Sequence, residues 1–195
     1  MSELMKNDRI VEERINGIIY LMARPNRRHL RIQYNICRVF NDYFRSADKK
    51  CEAVFEDEIN ISKDDKIVPD VLIYCYDCNE DEDANENDSD KRNGYDLPLI
   101  VVEVLSKSTR KKDFTVKMKK YADLGVKEYW LVDYQSSVMD IYILEDGRYE
   151  LKIICGIDDD DDIDEEENRD LIHEFNPALF PDMIVKAEDI FYSVI

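Results

Sequence analysis

The stretch Leu97–Asp133, LPLIVVEVLSKSTRKKDFTVKMKKYADLGVKEYWLVD, reads as strand, helix, strand, and the rest of the chain takes its place around it. Leu97 to Leu105 is an almost unbroken apolar run, the pattern of a strand buried on both faces. Only Glu103 interrupts it, and an ionised carboxylate is costly to bury unless a cation or hydrogen-bond donors meet it. Helical spacing follows over Asp113 to Leu124, with Asp113 placed as an N-cap and Gly125 as the C-terminal cap. Phe114, Met118, Tyr121 and Ala122 form the apolar positions of that helix. Lys117 falls in the same stripe, where a lysine needs an anionic partner or a task. Glu128 to Asp133 closes the unit as a short strand rich in aromatic and branched residues.

Upstream, Arg9–Ile15 and Ile18–Met22 flank Asn16-Gly17, a type I′ hairpin signal that brings Glu12 and Glu13 to the entry of the fold. Pro25 breaks the strand and Asn26 can cap a helix. From Arg28 to Arg45 the apolar residues Ile32, Ile36, Val39, Phe40, Tyr43 and Phe44 recur at helical spacing. His29 lies in the first turn of that helix, where a histidine is more often a surface or capping residue than a catalyst. Cys51 to Ile61 and Lys66 to Tyr76 read as two further strands. The second contains Asp70 directly after Pro69, with apolar residues on both sides. Downstream, Val138–Leu144 and Tyr149–Ile154 make a hairpin around Asp146-Gly147. The closing segment Leu171–Ile195 has Pro177 and Pro181 in loops and a turn of helix near Ala187.

At 195 residues the chain suits a single domain, 1–195, with ample length for a core. No apolar run is long enough to span a bilayer, and the N-terminus has no signal-peptide h-region, so the expected location is the cytoplasm. Cys37, Cys51, Cys75, Cys78 and Cys155 are odd in number and scattered, as in a reduced protein. Cys75 and Cys78 form a lone CxxC without the second pair or histidines a zinc site needs. The net charge of −18 is concentrated in two acidic insertions, within 77–96 and 156–170. Asp77–Asp90 holds 8 acids and Asp158–Glu167 holds 9, neither with a base. The remainder, 27 bases against 28 acids, is close to neutral. Local basic clusters remain around Arg24–Arg31 and Lys107–Lys120. They suit either phosphate binding or ordinary solvated helix faces.

Asp70 and Glu103 are the acids least expected in strands of this kind. On neighbouring strands they would approach each other, and like charges at close range cannot both stay ionised without a cation. Hard ions such as Mg²⁺ or Mn²⁺ bind this kind of carboxylate pair. Lys117 would then orient or deprotonate a water, or stabilise charge developing on phosphorus. The other reading is two carboxylates satisfied by backbone donors beside a structural ion pair.

The segments ERINGIIYLMARP with His29, VPDVLIY, the central Leu97–Asp133 stretch and the closing hairpin resemble the Uma-two family. That family is a restriction-endonuclease-like branch of the PD-(D/E)XK nuclease superfamily. The resemblance covers about Glu13 to Phe191. It implies an α/β, restriction-endonuclease-like fold: a central mixed β-sheet flanked by helices, with an added N-terminal hairpin. It further implies a Mg²⁺- or Mn²⁺-dependent endonuclease acting on DNA and working as a homodimer; no membrane partner is expected, since no run spans a bilayer. By position, Pro69-Asp70 matches the PD of the motif and Glu103 its acid, the two metal ligands. The motif lysine is replaced by Leu105, so its role passes to Lys117 on the next helix, with Lys107 as the rival. Glu13 matches an early acid of the family that supports the site, and His29 a histidine without an assigned role. Ser106 and Thr109 match the turn into the helix. Two other readings are a catalytically silent binding or regulatory module on the same fold and, further off, a two-carboxylate glycosidase.

Overall fold

The computed structural model describes residues 12–22, 24–62, 65–76, 97–157 and 171–193. Nearly all of the two acidic insertions lies outside these residues, as do the lead-in, Cys78 and the first residues of the expected hairpin.

Strands β1 (Glu12–Ile15) and β2 (Ile18–Leu21) form the N-terminal hairpin. Asn16 and Gly17 both have positive φ, 53° and 75°, the backbone a type I′ turn requires. Asn26 caps helix α1 (Arg27–Ser46), its side-chain oxygen accepting from the His29 backbone N–H at 3.0 Å. The two strands expected next are each split. Cys51–Ile61 becomes β3 (Cys51–Phe55) and β4 (Ile59–Asn60), because Glu56 turns the chain with φ 55°. Lys66–Tyr76 becomes β5 (Lys66–Ile67) and β6 (Val71–Cys75), separated by Val68-Pro69-Asp70. Proline has no N–H for a sheet ladder, so the break falls at Pro69 and Asp70 stands just before the strand.

The central unit is β7 (Ile100–Val104), a helix, and β8 (Glu128–Asp133). The helix begins as α2 (Arg110–Lys112), widens into a π turn over Asp113–Lys117, and continues as α3 (Met118–Leu124). It ends at Gly125 with φ 86°. Asp113 is therefore inside the helix and fully buried, not the N-cap that the spacing suggests. Ser106 shapes the entry instead, bonding the hydroxyl and the N–H of Thr109 at 2.9 and 3.2 Å. Strands β9 (Val138–Glu145) and β10 (Arg148–Gly156) form the second hairpin. The chain closes with β11 (Leu171–Ile172), β12 (Glu174–Phe175), β13 (Val185–Lys186) and α4 (Ala187–Phe191).

The main sheet runs β11-β10-β9-β8-β7-β6-β3. It is mixed: β7/β8 and β10/β11 pair in parallel, the others antiparallel. A smaller sheet, β2-β1-β5-β4, carries the N-terminal hairpin. Side chains alternate across the main sheet. Val102, Val104, Trp130 and Val132 pack against Ile32, Ile36 and Phe40 of α1. Val101, Leu105, Tyr129 and Leu131 pack against Tyr121 of α3 and against Ile15, Ile59 and Ile67 of the small sheet. Glu103 shares the parity of Val101 and Leu105, so the pleat drives its carboxylate into this second layer.

The cysteines depart from the expected scatter of free thiols. Cys51 and Cys75 face each other across β3 and β6, with Cα atoms 4.0 Å apart, and are joined by a disulfide. The antiparallel register of the two strands sets them opposite. Cys37 and Cys155 are free and buried.

Candidate active site

The antiparallel register of β6 and β7 pairs Val71 with Val102. Continued by one residue, that register would oppose Asp70 to Glu103, and the Asp70 charge is felt at Glu103. The Val104 N–H donates to Asp70 Oδ2 at 2.7 Å, which ties the carboxylate to the neighbouring strand. Helix α1 reaches the same group from the other side. His29 Nε2 lies 2.7 Å from Asp70 Oδ1, and Gln33 Nε2 donates to that oxygen at 2.9 Å. His29 is thus drawn into the cluster rather than left as the surface or capping residue its position suggests.

Lys117 occupies the centre. Its Nζ lies 2.7 Å from Glu103 Oε1, 2.7 Å from Glu13 Oε1 and 3.8 Å from Asp113 Oδ1. Tyr121, one turn on, donates its hydroxyl to Glu103 Oε1 at 2.6 Å. Glu13 comes from β1, so the hairpin supplies one wall; its Oε1 also accepts weakly from the Val68 N–H at 3.4 Å. Lys112 reaches Glu13 Oε2 at 3.3 Å from the solvent side. Lys107 is exposed on the loop after β7 and does not enter the cluster. The structure therefore brings together Glu13, Asp70, Glu103 and Lys117, and adds His29, Gln33, Asp113 and Tyr121.

The cluster is closed. Lys117 is 1% exposed, Glu103 3% and Asp70 7%. A surface cavity of about 390 Å³ between α3 and the β9–β10 hairpin, lined by Thr115, Met118 and Arg148 among others, touches none of these side chains. Burial sets the electrostatics. It pushes the Glu103 carboxyl well above its usual range, an effect that Lys117 opposes and that Asp113, Asp70 and Glu13 reinforce. It also lifts Asp113 to about 6, against the pull of Lys117 and of the Thr109 hydroxyl. Lys117 behaves in the opposite way: burial disfavours its charge, but Glu103, Glu13 and Asp113 outweigh that and hold its proton more tightly than usual.

The donor set suits a hard divalent cation. It consists of carboxylate oxygens with more negative than positive charge, and both oxygens of Asp113 are buried without a donor in hydrogen-bond geometry. Among the described residues, no three His, Cys, Asp or Glu side chains are already arranged as a cation cage. The ammonium of Lys117 stands between the acids instead.

Two comparisons bear on this arrangement. The Uma2 family, described as "putative restriction endonuclease", matches residues 2–173. The fold is similar to a crystal structure from Anabaena variabilis described as a "putative nuclease belonging to DUF820". That likeness has a TM-score of 0.67 at 17% identity and covers 95% of this chain and 92% of the other. No curated protein sequence matches the chain.

Proposed function

The chain belongs to the Uma2 family, and on that premise we propose that it is a nuclease hydrolysing DNA phosphodiester bonds with Mg²⁺ or Mn²⁺. The observation that carries the reading is the placement of Asp70 and Glu103 at adjacent strands, Asp70 bonded to the Val104 N–H next to Glu103 and the Lys117 ammonium 2.7 Å from Glu103. Asp70 and Glu103 would hold the cation. When bound, it would supply Lewis-acid stabilisation of the phosphoryl oxygens and a water of lowered pKa. Asp70 is held in place for this by His29, Gln33 and the Val104 N–H. Lys117 acts as a fixed positive charge and hydrogen-bond donor rather than as a base, because its carboxylate neighbours raise its affinity for the proton. Glu13 holds Lys117, and Tyr121 holds Glu103.

The test is cleavage of supercoiled and linear DNA with Mg²⁺ or Mn²⁺ by the wild type, Asp70→Ala, Glu103→Ala and Lys117→Ala. Nicking by the wild type alone is the expected result. Cleavage that survives in Asp70→Ala or Glu103→Ala would remove the site assignment. The closure of the cluster favours one rival, a silent binding module in which Lys117 replaces the metal permanently. Titration with Mn²⁺ separates the two, since the silent module binds none at Asp70 and Glu103.

A further inference from the structure

Asp113 belongs to the same carboxylate cluster but is not one of the two acids, Asp70 and Glu103, that would hold the cation. Its side chain is fully buried, and neither oxygen has a donor in hydrogen-bond geometry. The neighbouring Thr109 hydroxyl eases the acid without reaching hydrogen-bond geometry, and it also pairs with Ser106 Oγ at 2.9 Å. A buried carboxylate left in this state is destabilising, and such groups are rare in folded proteins. The local backbone is organised to put it there. In a regular α-helix, residues four apart drift round the axis by about 40°. The buried positions of this helix are Asp113, Lys117 and Tyr121, each four apart. The π turn over Asp113–Lys117 widens the helix at this point and offsets the drift, so the three side chains line one seam. The turn is held open by side chains that take backbone carbonyls: Thr115 Oγ1 donates to Lys111 O at 2.5 Å, and Tyr129 Oη donates to Asp113 O at 3.0 Å.

Resting on the nuclease reading, we infer that Asp113 is a second seat for the Lys117 ammonium, taken when Glu103 turns to a divalent cation. Lys117 Nζ is already 3.8 Å from Asp113 Oδ1, so a shift of about 1 Å would make a charged hydrogen bond. Lys117 keeps Glu13 as a common partner in both positions, 2.7 Å away in the present one. A cation at Glu103 repels the ammonium, and without Asp113 the ammonium would have to stay on Glu103 or lose one of its carboxylate partners. Asp113 is thus a positioning residue. It leaves Lys117 beside the cation with its charge intact and frees Glu103.

Calorimetric titration with Mn²⁺ alone tests this on the wild type, Asp113→Asn, Lys117→Gln and the double variant. Asp113→Asn is expected to weaken Mn²⁺ binding about tenfold, the equivalent of one hydrogen bond to a charged group. The same change in the Lys117→Gln background is expected to leave the affinity within about twofold. An equal loss in both backgrounds overturns the inference, because Asp113 would then act on the metal directly. Unchanged affinity in Asp113→Asn also overturns it. Should Lys117→Gln not fold, crystals of the wild type soaked in Mn²⁺ decide: Nζ within hydrogen-bonding distance of Asp113 supports the second seat, and Nζ still on Glu103 refutes it. Absence of Mn²⁺ binding in the wild type would instead refute the nuclease reading beneath it.

Discussion

Replacing Asp113 by asparagine should stabilise the metal-free protein at neutral pH, by an amount that the structure sets. The carboxyl is lifted from its ordinary 3.8 to about 6, mainly by burial. Between those two values the folded protein binds more protons than the unfolded chain. Stability therefore falls as pH rises through the window, and the protonated form of Asp113 is the one the fold prefers. At about 1.4 kcal/mol per pH unit, a window of roughly two units is worth about 3 kcal/mol at most. The uncharged amide of the Asp113→Asn variant would have no such window. Urea denaturation in chelator, followed by Trp130 fluorescence and by circular dichroism, gives the difference in stability between variant and wild type at each pH. That difference should grow in favour of the variant from about pH 4 to about pH 6.5 and then level off. A difference that is flat across this range, or a variant less stable than the wild type at about pH 8, would refute the assignment of Asp113 as a buried acid whose charge its neighbours only partly offset. Such a gain alongside weakened Mn²⁺ binding would mark a residue kept for the site at the expense of the fold.

Other expectations follow from single contacts. Tyr121→Phe removes the hydroxyl donor to Glu103 Oε1 and should lower stability by about 2 kcal/mol in urea melts, the range for a bond to a buried charged group. A loss below about 0.5 kcal/mol would mean that Lys117 alone satisfies that oxygen. His29→Ala takes one of two side-chain partners from Asp70 Oδ1 and should weaken Mn²⁺ binding about tenfold, read by calorimetry. Unaltered affinity would leave His29 with no part in orienting Asp70. Cys51→Ser opens a disulfide between residues 24 apart and should lower stability by about 3 kcal/mol without reductant. With dithiothreitol present, the wild type should fall to the same value, and identical melts under both conditions would show that the bond does not form.

Local chemistry carried much of the fold. The Asn-Gly and Asp-Gly turns, the Asn26 cap, the Gly125 terminus and the apolar run before Glu103 each act within a few residues, so the chain alone states them. The strand splits at Glu56 and Pro69 were less legible. A strand-like pattern does not show that its two halves join different sheets, although Pro69 was a visible signal against one unbroken strand. The two carboxylates of the proposed site stood out for a related reason: Asp70 and Glu103 contradict the apolar patterns around them, and only a specific partner makes such a placement tolerable.

Most of the elements, and the two carboxylates that break their patterns, are thus written along the chain. The groups that surround those carboxylates are settled by tertiary packing. Lys117 and Lys107 are equally lysine in the sequence. The π turn and the packing of α3 on the sheet bury one, and the loop after β7 exposes the other. His29 and Gln33 lie 41 and 37 residues from Asp70 and meet it only because α1 packs across the end of β6. Asp113 has the composition of a helix cap and becomes a buried acid because the helix begins one turn earlier than its spacing suggests. Cys51 and Cys75 are unrelated in the sequence, and an antiparallel register sets them face to face. For Lys117, His29, Gln33 and the cysteines the deciding interaction is long-range, and its energy depends on burial and on distances that no local pattern encodes.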